Sequence, residues 1–279
     1  MTKALVLGGG GVTGIAWHLG MLCGLQRAGV PLGDADTVIG TSAGSVVGTL
    51  LTAGTDLEAA VAVQETVAAP ARSGSSGRGN TGRALAAMAV LADPSVPPQQ
   101  ARTQIGAMAL TAATVDEQTY VARMEPLLPV RDWPERDLRI VVVDTADGRD
   151  VVLDRTSGAS LLRAVAASCA VPGLMPPVTI GDRRYMDGGV RFGAGADLAT
   201  GADQLVVLAP LAALSRDRIL AEMAATGAGK TLLLAPDEAS IEAFGPNVMD
   251  PARRAAAVRA GLRQGEASAD LVREVWPGH

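Results

Sequence analysis

Histidine is nearly absent from this chain of 279 residues, which holds only His18 and His279. The scarcity argues against a Ser-His-Asp triad of the ordinary kind. His279 is the terminal residue, where order is not expected. His18 falls in the helical run Ile15-Ala16-Trp17-His18-Leu19 and reads as a helix-surface or core-edge side chain. Cysteine is as rare. Cys23 and Cys169 sit in separate apolar helical contexts, so free buried thiols are expected and a disulfide framework is excluded. With no His, Cys and carboxylate cluster at ligand spacing, neither a metal nor another cofactor is expected. Aromatic residues make up 3% of the chain against 48% for all hydrophobic types, so any apolar pocket should be aliphatic. Basic residues number 24 against 29 acidic ones, a formal net charge of -5, which argues against a broad nucleic-acid surface or a docking face for an anionic membrane. No apolar run approaches membrane-spanning length. The first residues carry one lysine and then a glycine loop, unlike a secretory signal, and a cytoplasmic location fits these absences.

What is present centres on Gly40-Thr41-Ser42-Ala43-Gly44, which follows the strand-like Thr37-Val38-Ile39 and precedes a helical run from Ser45. This is the pattern of a nucleophile elbow. The chain turns so sharply from strand to helix that side chains flanking the serine would clash, hence a glycine on each side. Ser42 is then held at a helix N-terminus, whose dipole favours negative charge on its oxygen. Ser45, one turn later, is the fallback nucleophile. A nucleophilic serine needs a base, and with histidine so scarce a carboxylate acting directly is the simplest candidate. Asp187-Gly188-Gly189 offers one where the strand-like Arg183-Arg184-Tyr185-Met186 ends, although an ordinary Asp-Gly turn has the same sequence.

A glycine loop, Gly8-Gly9-Gly10-Gly11-Val12-Thr13-Gly14, lies between the strand-like residues 4–7 and a helix. Successive free N–H groups on Gly9, Gly10, Gly11 and Gly14 would suit an oxyanion hole. Gly9, Gly11 and Gly14 also satisfy G-x-G-x-x-G, with Asp34 or Asp36 downstream as the ribose acid, so a nucleotide-binding oxidoreductase is a competing reading.

Between elbow and aspartate runs Ala166-Ala167-Ser168-Cys169-Ala170-Val171-Pro172-Gly173-Leu174-Met175-Pro176-Pro177-Val178. Glycine loop, elbow, Ala-Ser-x-x-x-Pro segment and Asp-Gly-Gly turn, in that order over residues 4–199, resemble the patatin-like phospholipase family. The resemblance implies a serine acyl hydrolase cleaving lipid esters through an acyl-serine intermediate. By it Ser42 is the nucleophile and Asp187 its base in a Ser-Asp dyad, with oxyanion donors around Gly10 and Gly11. The expected partner is a lipid or other acyl ester, with transient contact at a membrane surface through an apolar mouth. A catalytically idle lipid-binding relative would keep the same motifs. Two departures stand out. Thr13 replaces the Lys or Arg that many members carry in the first loop, and Gly195 or a neighbour replaces an Asn beyond the aspartate turn.

Strand-like runs at 4–7, 37–39, 138–144, 151–154, 205–209 and 231–235 alternate with helical ones. That alternation predicts an α/β fold in three layers, a mostly parallel sheet with helices on both faces. A single domain, 1–279, is expected, with a catalytic core at 4–199 and a C-terminal α/β completion at 200–279. Within the core, 56–134 reads as a helical cap with helices at 83–93 and 101–124. Its Met88, Met108 and Met124 are candidates for the pocket, and a flexible Gly/Ser tract lies at 70–82. Gly227-Ala228-Gly229-Lys230-Thr231 mimics a Walker loop, but helix precedes and strand follows, the reverse of what a phosphate loop needs. Residues 251–275 read as a last amphipathic helix with Val258, Leu262, Val272 and Val275 on its apolar face.

Overall fold

The structure, a computed structural model, describes residues 1–66, 82, 86, 87, 89–91, 93 and 95–277. Except for Gly82, the Gly/Ser tract 70–82 lies outside the described residues, as do Met88 and His279. Apolar runs build an eight-stranded sheet. Its strands are β1 (Lys3–Leu7), β2 (Thr37–Thr41), β3 (Asp137–Asp144), β4 (Asp150–Leu153), β5 (Val178–Ile180), β6 (Arg183–Asp187), β7 (Gln204–Leu208) and β8 (Lys230–Leu234). The order is β5-β6-β3-β2-β1-β7-β8, with β4 also paired to β3. Pairings from β3 through β2, β1 and β7 to β8 are parallel, and those of β4, β5 and β6 are antiparallel. The unbroken apolar character of β1 and β7 has a simple cause: both faces of the central strands are covered. Leu5, Leu7, Ile140, Val206 and Leu208 point to one layer, whereas Ala4, Val6, Val141, Leu205 and Val207 point to the other.

The first layer carries α1 (Gly11–Arg27), α2 (Ala43–Thr52), α3 (Leu57–Thr66), α5 (Glu117–Met124), α6 (Leu161–Ser168), α8 (Glu238–Phe244), α9 (Arg254–Ala267) and α10 (Ala269–Val275). The second carries α4 (Pro98–Leu110) and α7 (Ala212–Ala225). No helix of the described residues is long and apolar enough to cross a membrane.

Several expectations are corrected. The run 101–124 is not one helix, because Asp116 caps a new one by accepting the Thr119 N–H, leaving α4 and α5 separate. The segment 56–134 sends three of its described helices onto the body of the fold, while its Ala87 and Leu91 line a cavity shared with Ser42. Its α3 lies against α1 and α9, α5 buries Tyr120, Val121 and Met124 in the main core, and α4 packs Ile105 and Ala109 on the opposite face against Val143 and Met186. Residues 251–275 form a short turn (Pro251–Arg253), α9 and α10, with a break at Ser268. His18, read as a helix-surface or core-edge side chain, is fully buried within the core.

The contact between α1 and α9 uses four glycines, spaced four apart on each helix. A Cβ at Gly20 would stand 2.2 Å from the Val258 carbonyl oxygen, one at Gly24 2.2 Å from that of Leu262, and ones at Gly261 and Gly265 2.4 Å from those of Trp17 and Met21. The two backbones therefore touch directly, and Trp17 closes the crossing by donating its indole N–H to Gln264 Oε1 at 3.0 Å. Gly20→Ala and Gly24→Ala are each expected to destabilise the protein by about 1–3 kcal/mol through overpacking, read as a lower midpoint in urea or heat.

Candidate active site

The register of β3 decides where the site lies. β4 pairs with residues 140–143 of β3, β2 with 137–141, and β6 with 142–144. A strand has two edges. Because β4 overlaps both partners in register, β2 and β6 must share the other edge and approach each other end to end. Thr41 faces Val141 and Asp187 faces Val142, so the elbow and the aspartate meet across one residue step.

At that junction the chain turns from β2 into α2 with Ser42 at φ 53°, ψ −117°, a strained conformation for a residue with a side chain. The flanking glycines have the reason the sequence suggests. A Cβ at Gly44 would fall 1.8 Å from the Leu7 carbonyl oxygen, and one at Gly40 2.5 Å from that of Gly44. Ser42 Oγ donates to Asp187 Oδ2 at 2.7 Å, and the Gly189 N–H donates to Asp187 Oδ1 at 2.7 Å. Both side chains are buried. Burial raises the Asp187 carboxyl to about 6, a rise that the Gly189 and Ser42 hydrogen bonds restrain.

The glycine loop follows β1, with the Gly8 N–H donating to Leu208 O at 2.9 Å. Among the described residues, the N–H groups of Gly9, Gly10 and Gly11 have no hydrogen-bond partner, and all three residues line the same cavity as Ser42. Gly14 differs from the expectation: its N–H bonds to Gly10 O at 2.8 Å within the first turn of α1 and is committed there. Ser45, the fallback nucleophile, is fully buried and donates its hydroxyl to Ser42 O at 2.7 Å. The Cys169 thiol, pushed up to about 12 by burial and by the Asp187 charge, stays protonated. His18 has Nε2 3.2 Å from Leu208 O, and burial lowers its pKa to about 4. Asp34 and Asp36, the acids of the nucleotide reading, lie at the opposite end of β1. Asp34 pairs with Lys3 at 2.7 Å and accepts from the Trp276 indole, while Asp36 accepts the Lys3 N–H.

The cavity measures about 430 Å³. Its walls are mainly apolar, including Leu91, Val171, Leu174, Val190, Leu211 and Met249. Of the expected methionines, the two among the described residues are elsewhere. Met124 belongs to the main core and Met108 packs beside Ile105, whereas Met249 comes from the loop before α9. Phe192 adds one aromatic ring to the aliphatic lining.

The family model described as patatin-like phospholipase matches residues 5–200. The chain belongs to this family. Among solved structures it is similar to VipD from Legionella pneumophila, at 17% identity and a TM-score of 0.48, over 97% of this chain and 67% of that one. It is also similar to the type III effector protein ExoU, at 18% identity and a TM-score of 0.47, over 97% of this chain and 53% of the effector. A third match is the ExoU–SpcU complex from the type III secretion system of Pseudomonas aeruginosa, at 15% identity and a TM-score of 0.44, over 99% and 52%. The chain thus spans about two thirds of VipD and about half of ExoU. No curated protein matches it significantly.

Within this patatin-like chain both sequence departures fall in segments held by hydrogen bonds. Thr13 turns its N–H and hydroxyl to the Val248 carbonyl, at 3.0 and 3.3 Å, which fastens the 245–250 loop over Gly11. Beyond the aspartate turn, the buried Arg191 pairs with Asp197 at 2.8 Å and Asp150 at 3.1 Å. Glu222, also buried, accepts the N–H groups of Ala194, Gly195 and Ala196 at 3.0, 2.9 and 3.2 Å. These bonds brace the segment beyond the aspartate turn. Residues 211–215 and 246–249 lie past the matched region yet form one wall of the cavity.

Asp187 lowers stability above its own pKa. Its folded value, about 6, exceeds the ordinary 3.8, so its contribution is full below 3.8 and is lost as pH rises through 6. His18 acts in the opposite sense, its contribution present above 6.5 and lost as pH falls through about 4. Asp187→Asn is therefore expected to have a higher Tm than the parent at pH 8, with the gap shrinking toward pH 5. Parallel thermal melts at the two pH values check the sign.

Proposed function

We propose that this chain hydrolyses acyl esters of lipids, with Ser42 as nucleophile and Asp187 as the only general base. Membership of the patatin-like phospholipase family supports a lipid acyl hydrolase. The observation that carries the finer reading is the 2.7 Å hydrogen bond from Ser42 Oγ to a buried Asp187, at the floor of an apolar cavity. Asp187 accepts the serine proton as Oγ attacks the ester carbonyl carbon. The oxyanion that develops faces Gly9, Gly10 and Gly11, whose N–H groups sit at the start of α1, where the helix dipole adds to their attraction. Collapse of the tetrahedral intermediate breaks the bond to the alcohol, and Asp187 returns the proton to the leaving oxygen. Water, deprotonated by the same carboxylate, then attacks the acyl-serine, the bond from the acyl carbon to Oγ breaks as Asp187 passes that proton to Ser42 Oγ, and the carboxylic acid departs. The aliphatic walls receive the acyl chain, removing apolar surface from water at about 25 cal/mol per Å².

Ser42→Ala is expected to abolish both hydrolysis of a soluble ester and labelling by a fluorophosphonate. Asp187→Asn should retain the fold and lose about 10²- to 10⁴-fold in kcat. Turnover or labelling that persists in Ser42→Ala overturns the assignment. In the parent enzyme, kcat/KM should fall on the acid side with a midpoint near 6, as Asp187 takes up a proton. A midpoint near the ordinary carboxylate value would place the base elsewhere.

A further inference from the structure

The elbow separates two main-chain groups that a continued strand would pair, and one side chain sits between them. Ser42 donates its N–H to Ser168 Oγ at 2.8 Å, and Ser168 Oγ donates to the Val141 carbonyl oxygen at 2.8 Å. Ser168 is the last residue of α6 and is fully buried. It therefore ties α6, the strained Ser42 and the strand that faces Thr41 and Asp187 into one unit. Its hydroxyl proton is committed to Val141, so toward Ser42 it can only accept. That excludes a proton-relay role and leaves an orienting one. The same bond commits the Ser42 N–H, so it is not an oxyanion donor.

We propose that Ser168 is a positioning residue for the reaction at Ser42: by holding the Ser42 N–H, it keeps the strained backbone in the conformation that points Oγ at Asp187. The proposal rests on the reading of Ser42 and Asp187 as the reacting pair. Removing the Ser168 hydroxyl leaves two buried polar groups unpaired, the condition under which a strained residue relaxes to an easier φ and ψ. Ser42 Oγ then swings away from the carboxylate while the apolar walls that bind the acyl chain stay in place.

The test compares the parent with Ser168→Ala, Ser168→Cys and Ser42→Ala, using a soluble p-nitrophenyl ester, a fluorophosphonate and thermal melts. Ser168→Ala is expected to lower kcat by about 10- to 100-fold, the scale of a misplacement near 1 Å, with KM within about twofold. Phosphonylation of Ser42 by the fluorophosphonate, with loss of fluoride, should slow in proportion. The acid limb of the pH profile should move upward, because the serine hydroxyl that holds the Asp187 carboxyl down is no longer aligned with it. Ser168→Cys, close in size with a weak donor and acceptor, should fall between parent and alanine variant. Parent-like kcat in folded Ser168→Ala overturns the proposal. So does a loss that follows the fall in Tm, leaves the acid limb where it was and is not graded through the cysteine variant, since that is a purely structural role. Labelling that survives in Ser42→Ala instead removes the reading beneath it. If the alanine variant does not fold, the cysteine variant carries the same kcat, KM and pH comparison.

Discussion

Along one edge of β3 two strands approach from opposite directions and stop, β2 at Thr41 and β6 at Asp187, and the candidate site occupies the junction. Two residues 145 apart in sequence come within 2.7 Å because the ladder allows one residue step between them. A slip of one residue in the β3–β6 pairing would turn the aspartate to the other face of the sheet, and one in the β2–β3 pairing would do the same to the end of β2 that leads into Ser42. The site's precision is thus inherited from backbone hydrogen bonding in the most buried part of the molecule, not from loops. Gly188 shows how tight the junction is: a Cβ there would stand 2.4 Å from the Val141 carbonyl oxygen and 3.1 Å from Thr41 Cγ2.

Everything around the junction restrains groups that would otherwise relax. Glycines at 40 and 44 let the elbow close against β1, and Ser168 holds the main chain of Ser42 from the α6 side. The aspartate turn is restrained from the other side. Arg191 and Glu222 draw on Asp150, Asp197 and the N–H groups of residues 194–196, so the loop carrying Val190, Phe192 and Gly193 into the cavity is fixed by buried, charge-assisted hydrogen bonds. One of these partners, Glu222, comes from α7, whose first turn also supplies Leu214 and Ser215 to the cavity wall. The residues past 200 therefore brace the turn and shape the pocket at once.

What could be read in the sequence follows from the range of the forces involved. The elbow, the glycine loop and the parallel strands are legible because steric rules act over a few residues: a glycine that would meet a carbonyl at 1.8 Å announces itself locally. The short strand β5, Val178–Ile180, has too few residues to show a period and exists because β6 pairs with it. The break between α4 and α5 had a signal, Asp116 three residues before Thr119, and it was masked by the apolar run around it. Arg191, Glu222 and Met249 left no local mark, since each acts on a partner brought near only by the sheet, and Ser168 was marked by its Ala-Ser-x-x-x-Pro segment without any local sign of what it holds. Gly20, Gly24, Gly261 and Gly265 read as poor helix formers until the two helices are seen to cross at their backbones. His18 misled in the other direction, because a single polar residue in an apolar helix does not reveal on which face it lies.

The housing of Asp187 suits a base that works without a histidine. At its ordinary value near 3.8 a carboxylate is a weak acceptor for a serine proton, and imidazole, near 6.5, is better matched to neutral pH. Burial without a cationic neighbour lifts Asp187 to about 6, close to the imidazole range. In the proposed mechanism the tuning that a triad obtains from its histidine is obtained here from desolvation. A salt bridge to Asp187 would stabilise the fold and lower its pKa, weakening the base. Arg191 and Arg183 are instead directed to other carboxylates, Arg191 to Asp150 and Asp197, and Arg183 to Asp144. Keeping positive charge off Asp187 is thus as much a part of the site as the hydrogen bond from Ser42.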